Sequence, residues 1–480
     1  MLHDRSGALG GTYADPTSAT ARIQFRRALA LAAMTFVMPG SAQLVQGNKR
    51  VGRIAIRIWL ALLALAAVFV LISLMDRQFL FGLATNASLL SVGRYLLIAL
   101  ALGWIALIVD AWRLGRPREL ARPHLAISTV LHGALVAGTA AVLFFASHTM
   151  GVMNGFTDTV FASSTVSKPH DGRYNVLLMG TDSGKDRSGM RPDSINVASI
   201  DAETGKAVII GLPRNLENVP FPKGSVMRKQ FPNGFDCDGC YLNAVNTWAN
   251  DHADLFDTKD PGIDATMGAV EEITGLKLNY YALVNMKGFS KLIDAVGGVK
   301  IHVRERTAIG GIGSPIRGYI EAGHQKLSGD KALWYARSRV ENDDWSRMGR
   351  QKCVMNAMVR QLNPQKVIMN MQDIATSSSA MVHTSIPRQD LNVFMDLALK
   401  TKSQPMASVS LVPPVIYTGN PDYDKVRRLV SDAVGSSKRN PELQKAALVT
   451  AKLPTIQAGG EAQKKDPRKA NRSANLDESC

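Results

Sequence analysis

The chain has 480 residues, room for about three domains at roughly 150 residues each. It is 46% hydrophobic and 20% charged, which excludes a wholly disordered or fibrous protein, and its four cysteines exclude a disulfide scaffold. The formal net charge of +16 points to an anionic partner: nucleic acid, lipid phosphate, a phosphorylated substrate or an acidic wall polymer.

The apolar residues are concentrated early. Residues 58–75 carry no formal charge, 89–112 are interrupted by Arg94 and Asp110, and 125–153 are again uncharged. Each run covers a hydrocarbon core of about 30 Å at about 1.5 Å per residue, which predicts three transmembrane helices over 54–153. Arg94 and Asp110 fall near the ends of their span, where snorkelling makes them tolerable. Arg22, Arg26, Arg27 and the basic residues of 49–57 precede the first span, and Arg113, Arg116, Arg118 and Arg122 fill the second connection. The positive-inside rule then makes residues 1–53 cytoplasmic and places everything after Met153 outside. A signal peptide is excluded, because the first strong apolar run begins late and two more follow. Residues 28–48 are also uncharged, but Pro39, Gly40, Gln43 and Gln46 make them an interfacial or re-entrant segment rather than a fourth span.

Residues 154–172, rich in Ser and Thr, read as a linker. Strands are predicted at 174–179, 194–200 and 206–212, the last two joined by a turn at 201–205. Helices are predicted at 241–255 and 263–273. Asn285 is placed to cap a helix running to Val296, which Gly297 and Gly298 end before a strand at 299–304. Ser328 is placed to cap a helix running towards Arg339, and a long amphipathic helix follows at 345–362. Strands interleaved with helices predict an α/β domain over 173–432, a mixed sheet flanked by helices. The basic remainder, 433–480, reads as a disordered tail.

Gly180-Thr-Asp-Ser-Gly184-Lys185-Asp186 invites a phosphate-loop reading, but the glycines are too close and Asp186 stands where Ser or Thr would bind magnesium. No HExxH, paired CxxC or GxSxG motif occurs. What does occur is acid and arginine alternating at strand ends. Asp182 follows the first strand, Arg191 and Asp193 precede the second, and Arg214 follows the third. Downstream come Arg337, Arg339, Arg347 and Arg350, with Arg347, Arg350 and Gln351 at i, i+3 and i+4 on one predicted helix face. Two carboxylates among guanidinium forks suit a magnesium-bound di- or triphosphate, while solvated surface ion pairs are the competing reading. Arg337 and Arg339 would point about 200° apart on a continuous helix, so a helix end between them is expected if both grip one pyrophosphate.

The stretches NVLLMGTDSG…GMRPDSINVASIDAETGKAVIIGLPRN, YYALVNMKGFSKLIDAVGGVKIHV and GHQKLSGDKALWYARSR…DDWSRMGRQKCVM, in this order over 172–365, resemble the LytR-CpsA-Psr domain. The resemblance implies a membrane-anchored phosphotransferase of cell-wall assembly. Such an enzyme moves a glycopolymer from a polyprenyl-pyrophosphate carrier to peptidoglycan and makes a phosphodiester, usually at the muramic acid 6-hydroxyl. By the same resemblance Asp182 and Asp193 bind Mg²⁺, and Arg191, Arg214, Arg337, Arg339, Arg347 and Gln351 bind pyrophosphate. Asp193 is then the general base, acting with Arg214, Arg337 and Arg339 as catalytic residues. For the polyprenyl tail, apolar faces around Phe289, Leu292, Ile293 and Val296, and around Val354, Met355 and Met358, are the candidate groove. Asn215 and Tyr241 depart from the family, which often has Asp and Lys there. The Cys-Asp-Gly-Cys insert and multi-span anchor suggest an actinobacterial wall polymer.

Cys237 and Cys240 are placed for a local disulfide, with pairing of either to Cys353 as the rival. Two other functions compete: a membrane-bound transcriptional regulator, and a non-catalytic wall-polymer-binding protein if Asn215 and Tyr241 abolish turnover. The regulator reading has little cytoplasmic chain and no helix-turn-helix pattern behind it, so no nucleic-acid partner is expected.

Overall fold

The computed structural model describes residues 16–75, 86–162, 166–182, 191–311, 313–340, 343–361, 382–437, 470–473 and 475–480. The chain divides into two compact units, Met1–Asn154 and Gly155–Cys480. In the first, three helices among the described residues are long and apolar enough to cross a membrane, with spans at Lys49–Ile72, Ala87–Glu119 and Arg122–Val152. Their apolar side chains face outward: Leu65, Leu102 and Val130 are all exposed, a surface suited to lipid contact.

The uncharged stretch expected at an interface forms a broken helix, Pro16–Val37 and Ser41–Gln46. The break falls at Gly40, whose φ of 95° few other residues adopt. A Cβ on Gly40 would lie 2.6 Å from the Ala55 Cβ, so glycine permits backbone-level approach to the Lys49–Met75 helix. Asp110 does not rely on snorkelling alone. The buried Gln43 Nε2 donates to its Oδ2 at 3.1 Å and to the Leu107 carbonyl at 2.9 Å.

Among the described residues, the second unit is built on twelve strands. They are β1 (Phe161–Ala162), β2 (Arg173–Thr181), β3 (Pro192–Asp201), β4 (Ala207–Leu212), β5 (Tyr280–Asn285) and β6 (Val299–Val303). Then come β7 (Thr307–Ile309), β8 (Gly318–Ile320), β9 (Gly323–Leu327), β10 (Val382–Pro387), β11 (Ala407–Ser410) and β12 (Arg472–Ser473). Eight form one mixed sheet in the order β1-β10-β5-β2-β3-β4-β11-β12, while β6 pairs with β9 and β7 with β8. Every residue of β4 is buried, because helices cover both faces of the sheet. Val208, Ile210 and Leu212 point into the core with helices Val245–Asp251, Pro261–Thr274 and Tyr423–Ser437. Ala207 and Ile209 point into the opposite core with Ile293, Tyr335, Val354 and Ala357.

Strands β2 and β3 are antiparallel, as are β3 and β4, so the end of β2, the start of β3 and the end of β4 lie on one edge. The Asn285 cap forms as expected, its side chain accepting from Gly288 N at 2.8 Å, and Gly297 and Gly298 take φ of 88° and 82° beyond the helix.

Four expectations need correction. The helix expected at 241–255 is split into Leu242–Ala244, Val245–Asp251 and Ala253–Leu255, the first and last being 3₁₀ turns. At its start the Leu242 and Asn243 amides bond the Leu216 and Arg214 carbonyls of the loop after β4, which holds the chain out of α geometry. Ser328 precedes its helix without capping it, and Asp294 Oδ1 instead accepts from Gly329 N at 2.7 Å. The linker is partly ordered: Phe161–Ala162 pairs with β10, and Ser167 N donates to the Tyr280 hydroxyl at 2.6 Å.

The fourth correction concerns the tail. Its residues 438–469 lie outside the described ones, but Arg472–Ser473 pairs with β11 and Leu476 is fully buried. Cys480 forms a disulfide with Cys353, and Cys237 pairs with Cys240, so the rival pairing of Cys237 or Cys240 with Cys353 is excluded. Arg360 and Asn356 both bond the Asp477 carboxylate, and Arg304 bonds the Ser479 carbonyl. These contacts give the terminal segment the enthalpy that its composition alone does not suggest.

Candidate active site

At the common edge of β2, β3 and β4 the charged residues form pairs. The Arg214 Nη1 donates to Asp193 Oδ1, and the Arg337 Nη2 lies 3.4 Å from Asp182 Oδ1. Arg191, exposed, immediately precedes β3 on this edge. The helix Gly329–Arg337 ends at Arg337, and Ser338, with ψ of 133°, is no longer helical. The end between Arg337 and Arg339 therefore frees the second guanidinium from the 100° step of a helix.

Helix Asp344–Gln361 begins where Asp343 accepts from the Ser346 amide at 2.8 Å. Asp344 then lies 2.9 Å from Arg347 Nη2 and 4.0 Å from Arg339 Nη1, joining two of the predicted arginines. Arg347 is only 5% exposed, and burial pushes its guanidinium pKa below the usual range while Asp344 pulls it back. One turn on, Gln351 Oε1 accepts from Ser194 Oγ at 3.0 Å, tying this helix to β3. Asp193, Arg214, Arg337, Arg339, Arg347 and Gln351 thus come from strand ends and helix ends that meet over one face of the sheet.

Arg350 departs from the shared face the spacing suggested. Its Nε donates to the Tyr335 carbonyl at 2.8 Å and its Nη2 to the Ser338 carbonyl, so it caps the preceding helix. The apolar faces considered for a lipid groove are largely core: Ile293 and Val354 are fully buried and Phe289, Met355 and Met358 pack against that cluster, while Leu292 and Val296 are half-buried. Asn215 turns to Thr418, its Nδ2 donating to Oγ1 at 3.3 Å, and Tyr241 is partly exposed. The Ser183–Met190 stretch, with Lys185 and Asp186, lies outside the described residues.

Two residues escaped sequence reading. Asp344 could have been found from its i, i+3 spacing to Arg347. Lys352 carries no such signal. It is fully buried, donates to Ser410 Oγ and to the Asn471 carbonyl, and burial pushes its ammonium pKa down to about 7. Gly211 faces it, and a Cβ there would sit 3.0 Å from Lys352 Cε.

The LytR_cpsA_psr family model matches residues 153–428. The chain is 27% identical over 221 residues to polyisoprenyl-teichoic acid–peptidoglycan teichoic acid transferase TagU of Bacillus mycoides, covering 45% of this chain and 62% of that one. It is 24% identical over 308 residues to cell wall biosynthesis protein LcpA of Corynebacterium glutamicum, covering 57% and 58% respectively. The chain therefore spans about three fifths of each of these relatives. The crystal structure of B. subtilis TagV aligns with 55% of this chain and 98% of its own, at 23% identity and a TM-score of 0.41. With the family model covering more than half of its length, including every site residue above, the chain belongs to the LytR_cpsA_psr family.

Proposed function

We propose that this protein transfers a glycopolymer from a polyprenyl-pyrophosphate carrier to peptidoglycan. The observation that carries the reading is the convergence of Arg214, Arg337, Arg339 and Arg347 with Asp182 and Asp193 at one sheet edge. An acceptor hydroxyl oxygen attacks the glycan-linked phosphorus, the bridging P–O bond breaks, and polyprenyl phosphate leaves. The hydroxyl proton passes to Asp193, whose Oδ1 is held by Arg214, and the glycan ends in a phosphodiester. Positioned guanidinium groups neutralise the charge that develops on the transferring oxygens. Purified full-length protein with a polyprenyl-pyrophosphate-linked saccharide and peptidoglycan fragments should release polyprenyl phosphate and form the diester. Saccharide binding without release would instead mark a non-catalytic wall-binding protein.

Asp182 and Asp193 offer hard oxygen donors on adjacent strand ends, and no third acid, His or Cys groups with them among the described residues. Such a pair fits Mg²⁺, which keeps water and takes substrate phosphate oxygens for most of its shell. Bound there, Mg²⁺ would offset phosphate charge. Turnover is expected to fall to background in EDTA and return with added Mg²⁺, and Asp193→Asn should lower turnover without lowering the melting temperature. An unchanged rate in EDTA would refute the metal assignment.

We also propose a multi-pass anchor with residues 1–53 in the cytoplasm and the catalytic unit outside, since the basic residues cluster before the first span and in the second connection. A periplasm-type alkaline phosphatase reporter fused after Gly155 is expected to be active, and a cytoplasmic reporter there inactive. The reverse would sink the three-span topology.

A further inference from the structure

Arg337 has a second neighbour besides Asp182. Its guanidinium carbon lies over the Trp334 indole, 5.3 Å from the ring centre. The guanidinium of Arg317 lies over the same indole at 5.6 Å. The two cations are therefore no farther apart than those distances together.

Arg317 reaches this place from the connection between β7 and β8. Gly310 and Gly311 have φ of 104° and 81°, which residues with a Cβ rarely adopt. A Cβ on Gly311 would lie 2.2 Å from Val340 Cγ2, so glycine lets the connection settle against the turn that carries Arg339. The Gly311 amide donates to the Ser314 carbonyl at 2.9 Å, and the Arg317 amide to the Ile309 carbonyl at 2.8 Å, which fixes where Arg317 leaves the backbone. Arg317 is exposed and makes no ion pair among the described residues. Arg337, in contrast, has its carboxylate.

Each guanidinium is attracted to the ring, but the two like charges beside it also repel each other. An anion between or beside them would remove the repulsion. We infer that Arg317 and Trp334 form a subsite for acidic groups on the donor glycan next to the transferred phosphate, making Arg317 a specificity-determining residue. This rests on the phosphotransferase reading above. Arg317 suits the glycan rather than the polyprenyl tail, because its five N–H donors match acidic oxygen acceptors and a hydrocarbon chain offers none. Trp334 is a positioning residue, with both guanidinium groups lying over its indole.

The experiment compares three polyprenyl-pyrophosphate disaccharides with full-length protein: one neutral, one bearing a carboxylate and one bearing a phosphate. The wild type is expected to show a KM at least about tenfold lower for the acidic donors than for the neutral one. Arg317→Ala should abolish that preference through KM, with the two acidic arms telling carboxylate from phosphate recognition. Trp334→Leu should lower kcat on all three donors and weaken the preference, and Trp334→Phe should restore part of both. An Arg317→Ala enzyme that keeps the wild-type KM ratio overturns the subsite. Failure of the wild type to turn over any of the three overturns the phosphotransferase reading itself.

Discussion

Arg337→Lys and Arg339→Lys are each expected to lower kcat/KM for glycopolymer transfer by about 10²–10³, corresponding to about 3–4 kcal/mol of transition-state stabilisation. Lysine keeps the charge but loses the planar fork that grips two phosphate oxygens at once. Both side chains are partly exposed, at 37%, so neither variant should change the melting temperature by more than an ordinary surface substitution does. Arg347→Lys should behave differently. Arg347 is buried against Asp344, and an ammonium is more strongly hydrated than a guanidinium, so this variant should lose both turnover and thermal stability. Kinetics and melts on the same three proteins separate the cases. Near-wild-type turnover of both Arg337→Lys and Arg339→Lys would remove the pyrophosphate assignment.

Cys480→Ser is expected to cost about 3–5 kcal/mol of unfolding free energy, because the Cys353–Cys480 disulfide joins residues 127 apart and so restricts a long loop of the unfolded chain. For a domain of this size that is a fall of order 10 °C in melting temperature. Cys353→Ser should match it, and the double variant should add nothing, since either change removes the same bond. Cys237→Ser should cost far less, because that disulfide closes a separation of three residues. Calorimetry of the four variants tests this ranking. Equal small shifts in all of them would mean that the terminal segment is not fastened in solution. Its attachment also bears on the helix that carries Arg347 and Gln351. Asn471 Nδ2 donates to the Trp345 carbonyl at 2.7 Å, two residues before Arg347, and the Asn471 carbonyl accepts from Lys352.

Sequence alone determined what repeats along the chain or is local to it. Apolar runs of membrane length give three helices, because each helix satisfies its own backbone and its side chains need only be apolar. Alternating and near-continuous apolar stretches give β2, β3 and β4, and the reversal at each of the two connections puts Asp182, Arg191, Asp193 and Arg214 on one edge. Asn285 and the Gly297–Gly298 pair mark a helix at both ends, since a cap is a bond between neighbours.

Only the tertiary structure decided the rest, because those outcomes depend on partners far away in sequence. Ser328 looks like a cap, but the Gly329 amide finds Asp294, 35 residues earlier. Arg350 shares a helix face with Arg347 on paper, yet it is drawn to the carbonyls that end the preceding helix, where its donors are needed. The tail has a disordered composition until Cys480 meets Cys353 and Leu476 enters the core. Arg317 lies over Trp334 at the end of a connection whose Gly311 settles against Val340. Composition and periodicity report what a segment can do alone. Long-range contacts decide which of several local options is taken, because a buried donor, charge or thiol is stable only beside its partner.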